Sequence, residues 1–321
     1  MNRHPLDALF APRSVAVLGA SRNPAKLGFR LLQNVKSRGY AGAIHVVNPS
    51  GEAILGCPTV SAIDALPSGI DLALVSLPAP AVPEAIAELA GHGVRVAVIL
   101  SSGFGEVDAE RCRAQGALLA AARAAGVRLV GPNCMGVYSA PARLNGTFFW
   151  DLPRATGGIG VVSQSGAYGG LIFRHLGARG LGVSRFVSIG NQADVDVAEV
   201  VEYLAADSET TLIACFIEAL RDGRRFVEVA AEVMREVGLR LAPLDEGEAH
   251  AVLREGARGR LLAGPRGLPA CDEAPLVEML LGVGDLMVAE ARVLEIDLNP
   301  VIAAGRRAGA VDVVLIAGAG S

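Results

Sequence analysis

The chain has 321 residues, 51% of them hydrophobic and only 4% aromatic, with a formal charge of -4. That length accommodates two ordinary domains and a small appendage, with a core built mainly from Ala, Val, Leu and Ile, the usual material of buried parallel strands. Two lysines, Lys26 and Lys36, and arginines dispersed among acids argue against nucleic acid as a partner. Cys57, Cys112, Cys134, Cys215 and Cys271 have no close pair and no histidine at zinc-ligand spacing, so they read as reduced thiols of a cytoplasmic protein. The opening MNRHPLDALFAPRS lacks an apolar stretch of signal-peptide length, and the longest apolar runs elsewhere are strand-length. Secretion and membrane insertion are therefore not expected.

Short β-branched runs alternate with longer Ala- and Leu-rich segments up to about residue 135, the pattern of repeated βα units and a parallel sheet. Strands are predicted at Ser14 to Gly19, Ala43 to Asn48, Asp71 to Leu77, Val94 to Leu100 and Val127 to Gly131, with helices near Lys26 to Arg38, Val82 to Gly91 and Ala109 to Ala125. Right-handed crossovers then gather the loops at the carboxyl ends of the strands. A Pro- and Gly-bearing stretch, Tyr138 to Gly158, breaks the rhythm and is the candidate domain connection. A second α/β series follows: strand Ile159 to Ser163, helix Gly166 to Arg179, strand Val183 to Ile189, helix Val197 to Ala206, strand Thr211 to Glu218 and helix Arg225 to Gly238. Beyond Gly238 the pattern loses regularity, until Arg292 to Ile302 and Ala310 to Ala317 form a hairpin around a turn at Gly305 to Gly309.

The first strand runs into Gly19-Ala20-Ser21-Arg22-Asn23-Pro24-Ala25-Lys26-Leu27-Gly28, a small turn whose backbone amides and helix amino terminus suit a phosphate. It departs from G-x-G-x-x-G because Ser21 stands at the second glycine, and a purely structural βα turn is an equal reading. Asn48-Pro49-Ser50-Gly51, Leu77-Pro78-Ala79-Pro80 and Ser101-Ser102-Gly103-Phe104-Gly105-Glu106 fall at further strand ends, and Gly131-Pro132-Asn133-Cys134-Met135-Gly136 follows the last strand. Each could be an ordinary turn, but all five arrive at one sheet edge.

LFAPRSVAVLGAS, VVNPSGEAILG, SSGFGE, GPNCMGV, VVSQSGAYG, FVSIGNQADVDVAEVVEYLAAD and FIEALRDGRRF together resemble, in order, the CoA-binding and ligase domains of NDP-forming acyl-CoA synthetases, relatives of the succinyl-CoA synthetase α chain. The resemblance covers about the first 235 residues. It implies an α/β chain of three parts: a Rossmann-like CoA-binding domain over 1–138, a shortened flavodoxin-like ligase domain over 139–240 and an ATP-grasp-like remnant over 241–321. Coenzyme A is the implied cofactor, with Gly19, Ala20, Ser21, Gly28, Asn48, Pro49, Pro78, Ala79, Ser102 and Gly103 along its groove and Asn133 near the thioester end. The family often carries a lysine close to the NP motif, where Ser50, Gly51 and Glu52 stand here. One exposed ion contact contributes only about 0.2 to 1 kcal/mol, so this departure weakens the assignment without removing it. Ser165, Gly166 and Ala167 correspond to the helix end that receives a phosphoryl group, and Glu218 to the carboxylate that orients it. Without the surrounding match, an ordinary N-capped helix and a solvated glutamate would be preferred.

The family continues into a histidine loop of the Ser-His-Thr-Gly or Gly-His-Ala-Gly type, and no such motif follows here. His4, His45, His92, His175 and His250 stand in unrelated contexts, each better read as structural or solvated than as a nucleophile. LLAGPRG and VLEIDLNPVIA resemble the end of an ATP-grasp domain, where Glu295, Asp297 and Asn299 would offer oxygen ligands to Mg²⁺. Only about 80 residues remain for an Mg-ATP or ADP site, too few for its adenine pocket and triphosphate cradle. The resemblance thus implies a multidomain synthetase that has lost its middle. It leaves a CoA or acyl-CoA binding protein without complete ligase activity, or a ligase subunit whose ATP-grasp partner chain supplies histidine and nucleotide in a homo- or hetero-oligomer. A nicotinamide-dependent oxidoreductase shares the first fold but lacks the acidic residue after the second strand, where Asn48-Pro49 stands.

Overall fold

A computed structural model describes residues 4–149, 152, 156–233, 243–254, 259, 262–264, 270–290, 293–298, 301–304, 307–310 and 313–317. Contacts divide the chain into two compact units, Met1–Ala230 and Ala231–Ser321.

The first unit contains two sheets. One comprises β1 (Ser14–Leu18), β2 (Ala43–Val47), β3 (Thr59–Val60), β4 (Leu72–Val75), β5 (Val96–Ile99) and β6 (Arg128–Val130), all parallel, in the order β3-β2-β1-β4-β5-β6. Every residue of β4 and β5 is buried, which is why these strands read as unbroken apolar runs: both sheet faces are covered. Helix α1 (Asp7–Phe10) and helix α2 (Leu27–Ser37) pack on one face through Phe10, Leu31, Leu32 and Val35. Helix α3 (Val82–Gly91), started by Pro83, and helix α4 (Ala109–Ala124), capped by Asp108, cover the other through Ile86, Leu89, Leu118 and Ala122. The chain leaves β1 in one direction and β4 in the other, so a topological switch point lies between those two strands.

The second sheet orders β7 (Gly136–Ser139), β8 (Leu144–Thr147), β9 (Ile159–Ser163), β10 (Val183–Ser188) and β11 (Leu212–Phe216) as β11-β9-β10-β7-β8. β11, β9 and β10 are parallel, whereas β7 runs antiparallel to β10 and β8. With it come helices α5 (Gly166–Ala178), α6 (Val197–Ala206) and α7 (Gly223–Val233). The stretch expected to connect domains therefore begins with a hairpin that completes this sheet. Its glycines break the βα rhythm because they permit close approach: a Cβ on Gly136 would lie 2.0 Å from the Gly146 carbonyl oxygen. Asn34 of α2 fastens the hairpin by donating to the carbonyls of Thr147 (2.7 Å) and Phe149 (3.0 Å). One core cluster draws Leu74, Val98 and Val130 from the first sheet together with Val137, Leu144, Val162 and Val187 from the second, so the two sheets share an interior.

In the second unit, helix α8 (Glu246–Arg254) and helix α9 (Ala274–Ala289) bury Ala249, Leu253 and Val277. The outer strands β12 (Val293–Leu298) and β15 (Val313–Ala317) pair antiparallel, as do the inner strands β13 (Val301–Ala304) and β14 (Arg307–Ala310). The expected antiparallel pairing is thus present, and Arg307 to Gly309, expected in the turn, belong to a strand.

Candidate functional site

Five loops meet in an unbroken series along the carboxyl edge of the first sheet. Asn48, after β2, donates through Nδ2 to the Ala20 carbonyl at 2.7 Å and accepts from the Ser50 N–H at 2.9 Å. Ser21 and Asn23, after β1, accept from the amides of Asn23 (3.1 Å) and Ala25 (2.9 Å), which shapes the turn before α2. Gly19, with φ +79°, lies so close to the next loop that a Cβ would stand 2.1 Å from the Ser76 oxygen. A Cβ on Gly28 would stand 1.9 Å from the Gly19 oxygen. Both glycines are required by backbone packing before any ligand is considered.

After β4, the Leu77 carbonyl accepts a short hydrogen bond from Ser101, and Ala79 faces Gly103, whose added Cβ would stand 3.3 Å from that of Ala79. Pro49, Pro78 and Ser102 are exposed, whereas Ala20 is buried beneath the turn. The series ends after β6, where the Asn133 N–H donates to the Ser101 carbonyl at 2.9 Å and Asn133, exposed at φ +58°, follows a cis Gly131-Pro132 peptide. The order Asn48, Gly19 to Ser21, Pro78 and Ala79, Ser102 and Gly103, Asn133 follows the strand order and spans the switch point.

The Gly103 amide is not open to a ligand. Glu106 accepts from the N–H of Gly103 at 2.5 Å and from that of Phe104 at 3.2 Å. Burial pushes the Glu106 carboxyl up, but the hydrogen bonds from Asn191, Gly103 and Phe104 outweigh it and hold the group below the ordinary carboxylate value.

A second cluster forms at the carboxyl edge of the second sheet. Ser165 caps α5, accepting from the Tyr168 N–H at 3.4 Å, and its carbonyl accepts from Ser163 Oγ at 2.6 Å. A Cβ on Gly166 would stand 2.2 Å from Met135 Cγ, while Ala167 is exposed. Glu218 is exposed two residues beyond β11. Gln164 Oε1 accepts from its N–H and from that of Ala219 (2.8 Å), so the structure brings Glu218 beside the amino terminus of α5.

A separate ion network centres on the buried Asp194, at the amino end of β6. Asp194 accepts from Arg123 (2.7 and 2.9 Å), Arg128 (2.7 Å) and the Leu129 N–H (3.1 Å), and Arg128 also grips Glu199 with two bonds of 2.7 and 2.8 Å. Burial raises the Asp194 carboxyl and the two guanidiniums more than offset that, leaving it below the ordinary value. The sequence singles out none of these residues, although Asp194 and Glu199 belong to the GNQADVDVAE run that carries part of the resemblance. Long-range pairing of dispersed arginines leaves no local signal.

Glu295 and Asp297 fall in β12, but their side chains and the whole of Asn299 lie outside the described residues. Among the described residues no group of three or more His, Cys, Asp or Glu is arranged to hold a metal ion, and no helix is long and apolar enough to cross a membrane. His250 pairs with Glu273 at 2.9 Å, and Arg254 binds the same carboxylate.

Three family models tile the chain: a CoA binding domain over residues 13–140, a succinyl-CoA-ligase-like flavodoxin domain over 156–240 and an ATP-grasp domain over 228–316. The fold and the modules define a CoA-ligase-type α/β chain. Among curated proteins, the α subunits of two ADP-forming acetate–CoA ligases of Pyrococcus furiosus are similar to it. Ligase II is 36% identical over 78% of this chain and 55% of the relative. Ligase I is 39% identical over 72% of this chain and 51% of the relative. Among solved structures, an acetyl-coenzyme A synthetase of Candidatus Korarchaeum cryptofilum is 32% identical with a TM-score of 0.68, covering 80% of this chain and 57% of that one. A Pyrococcus horikoshii protein is 37% identical with a TM-score of 0.69, covering 72% and 52%. The chain belongs to the family of ADP-forming acetate–CoA ligases, as a homologue of their α subunits, and spans about half the length of the curated relatives it matches.

Proposed function

We propose that the chain binds coenzyme A or acyl-CoA along the carboxyl edge of its first sheet and does not complete acyl-CoA synthesis alone. The observation that carries this reading is the contiguity of the five loops across the switch point, where open α/β sheets bind their ligands. Gly19 and Gly28 keep the backbone low enough for a ligand to lie over it. Ser21, Pro78 and Ser102 present the surface along which CoA runs, with Asn133 at its thioester end. Ser165 and Glu218 are the phosphoryl-receiving pair: helix amides and dipole draw an anion to the start of α5, and Glu218 faces the group that delivers it.

The nucleophile that would carry phosphate is the missing part. His4 precedes α1, His45 lies in β2, His92 ends α3, His175 is on α5 and His250 is on α8, paired with Glu273, so none stands in a histidine loop of the family's kind. Removing an essential nucleophile costs on the order of 10⁶-fold in other covalent catalysts. Incubated with CoA, ATP, Mg²⁺ and a panel of short carboxylic acids, the chain should form no acyl-CoA at an enzymatic rate. Turnover of about one per second or faster, with acid-labile phosphate on a histidine, would contradict this.

The second reading is supported by the Pyrococcus relatives, which are α subunits. In it, an ATP-grasp partner chain supplies the histidine and an Mg-ATP site to which Glu295, Asp297 and Asn299 contribute ligands. Acyl-CoA formation that appears only when such a partner is added would establish it.

A further inference from the structure

The run Gly190 to Glu199 belongs to neither cluster above, and its geometry ties both together. It lies against the outer strand of the first sheet as an added length of backbone pairing. The N–H groups of Asn191, Ala193 and Val195 donate to the carbonyls of Pro132 (2.9 Å), Gly131 (2.9 Å) and Leu129 (3.1 Å). The approach is close: a Cβ on Gly190, at φ +49°, would stand 2.3 Å from the Pro132 oxygen. Asp194, buried among Arg123, Arg128 and the Leu129 amide, anchors its middle.

Two consecutive amides then reach in opposite directions. Asn191 donates through Nδ2 to Glu106 Oε2 at 2.6 Å and to Gln115 Oε1 at 2.9 Å, and its Oδ1 faces Asn133 Nδ2 at 3.4 Å. Glu106 in turn holds the Gly103 and Phe104 amides, and Gln115 holds that of Gly105 at 3.2 Å. Gln192, at φ +40°, donates to the Ala219 carbonyl at 2.7 Å, the same carbonyl that accepts from Gln164 at 2.9 Å beside Glu218. We infer that Asn191 is a positioning residue for the thiol end of CoA: through Glu106 and Gln115 it sets the Ser102–Gly103 loop, and it holds Asn133 in reach of the same place. Gln192, on the same backbone, fixes the segment carrying Glu218, so the spacing between the thiol end and the phosphoryl-receiving helix is set by one dipeptide. This rests on the CoA reading above.

The amide is suited to this because it offers a donor to a carboxylate and an acceptor to a second amide at once. Asn191→Asp removes the donor and sets two carboxylates against each other, while Glu106→Gln removes the charge that attracts it. Combining the two substitutions reverses the polarity of the pair: an amide at position 106 donates to a carboxylate at position 191 and keeps its oxygen for the Gly103 N–H. The test is calorimetric titration of the full chain and its variants with CoA and, separately, with adenosine 3′,5′-bisphosphate, which lacks the pantetheine arm. Each single variant should bind CoA about tenfold or more weakly, the double variant should recover most of that loss, and the bisphosphate should bind all four proteins alike. Glu106 is exposed, so Glu106→Gln carries the test alone should Asn191→Asp fail to fold. Equal CoA affinity in the unaltered chain and Glu106→Gln would overturn the assignment. So would parallel loss of both ligands without recovery in the double variant. Failure of the unaltered chain to bind CoA at all would count against the CoA reading itself.

Discussion

Gly19, at the end of β1, has no room for a side chain. The sequence marks it as a phosphate-approach glycine, and its φ of +79° and the 2.1 Å at which an added Cβ would meet the Ser76 oxygen give it a packing role as well. Gly19→Val should therefore lower the melting temperature as well as any CoA affinity, and cannot report on the site alone. Ser102 can, because it is exposed at the same edge. Ser102→Trp should weaken CoA binding about tenfold or more with the melting temperature unchanged, as measured by calorimetry beside thermal denaturation. Full affinity in a folded Ser102→Trp protein would move the ligand elsewhere. Asp194 is the opposite case, invisible as a site residue and central in the structure. Asp194 is buried, but the Arg123 and Arg128 side chains it binds are 54% and 29% exposed and water can take its place on them, so Asp194→Ala should lower the urea midpoint by less than the loss of a fully buried pair would, and a shift within error would make the network ornamental.

At the scale of elements, the parallel strands and their helices are legible because both faces of the first sheet are covered and the βα alternation repeats. The strands Ala43–Val47 and Val96–Ile99 lie inside their expected ranges, and helix Val82–Gly91 matches end to end. The hairpin β7–β8 is not legible, since four-residue strands rich in glycine carry no periodicity and their partners, β10 and α2, are distant in sequence. The same is true of α8 and α9, whose apolar positions serve a small local core. The hairpin offers a test: Asn34→Leu leaves the Thr147 and Phe149 carbonyls without their donor. The expected cost is about 1 to 3 kcal/mol in chemical denaturation, and an unchanged stability would show that α2 does not fasten the hairpin. The candidate site divides in the same way. Loop residues at strand ends are found by local composition, whereas Glu106, Gln115, Asn191 and Gln192 acquire meaning only when the two sheets meet.

For the whole molecule, three buried or nearly buried carboxylates, Asp71, Asp194 and Asp207, sit below their ordinary value of 3.8. In each, burial raises the value and arginine bonds more than offset it. A group with a depressed folded value stabilises fully above its unfolded value and loses that contribution as pH falls through the folded one. These contributions are thus fully present above about pH 3.8 and are lost progressively below it, and Asp194→Asn should flatten that acid limb in urea titrations from pH 7 to 3. An acid limb identical in the variant would show that Asp194 does not contribute to it. Whether the carboxyl edge of the first sheet takes coenzyme A is read by calorimetric titration of the full chain with CoA. A single saturable site near one ligand per chain, not displaced by NADH, is the predicted result; no CoA binding, or NADH binding at the same site, would contradict it.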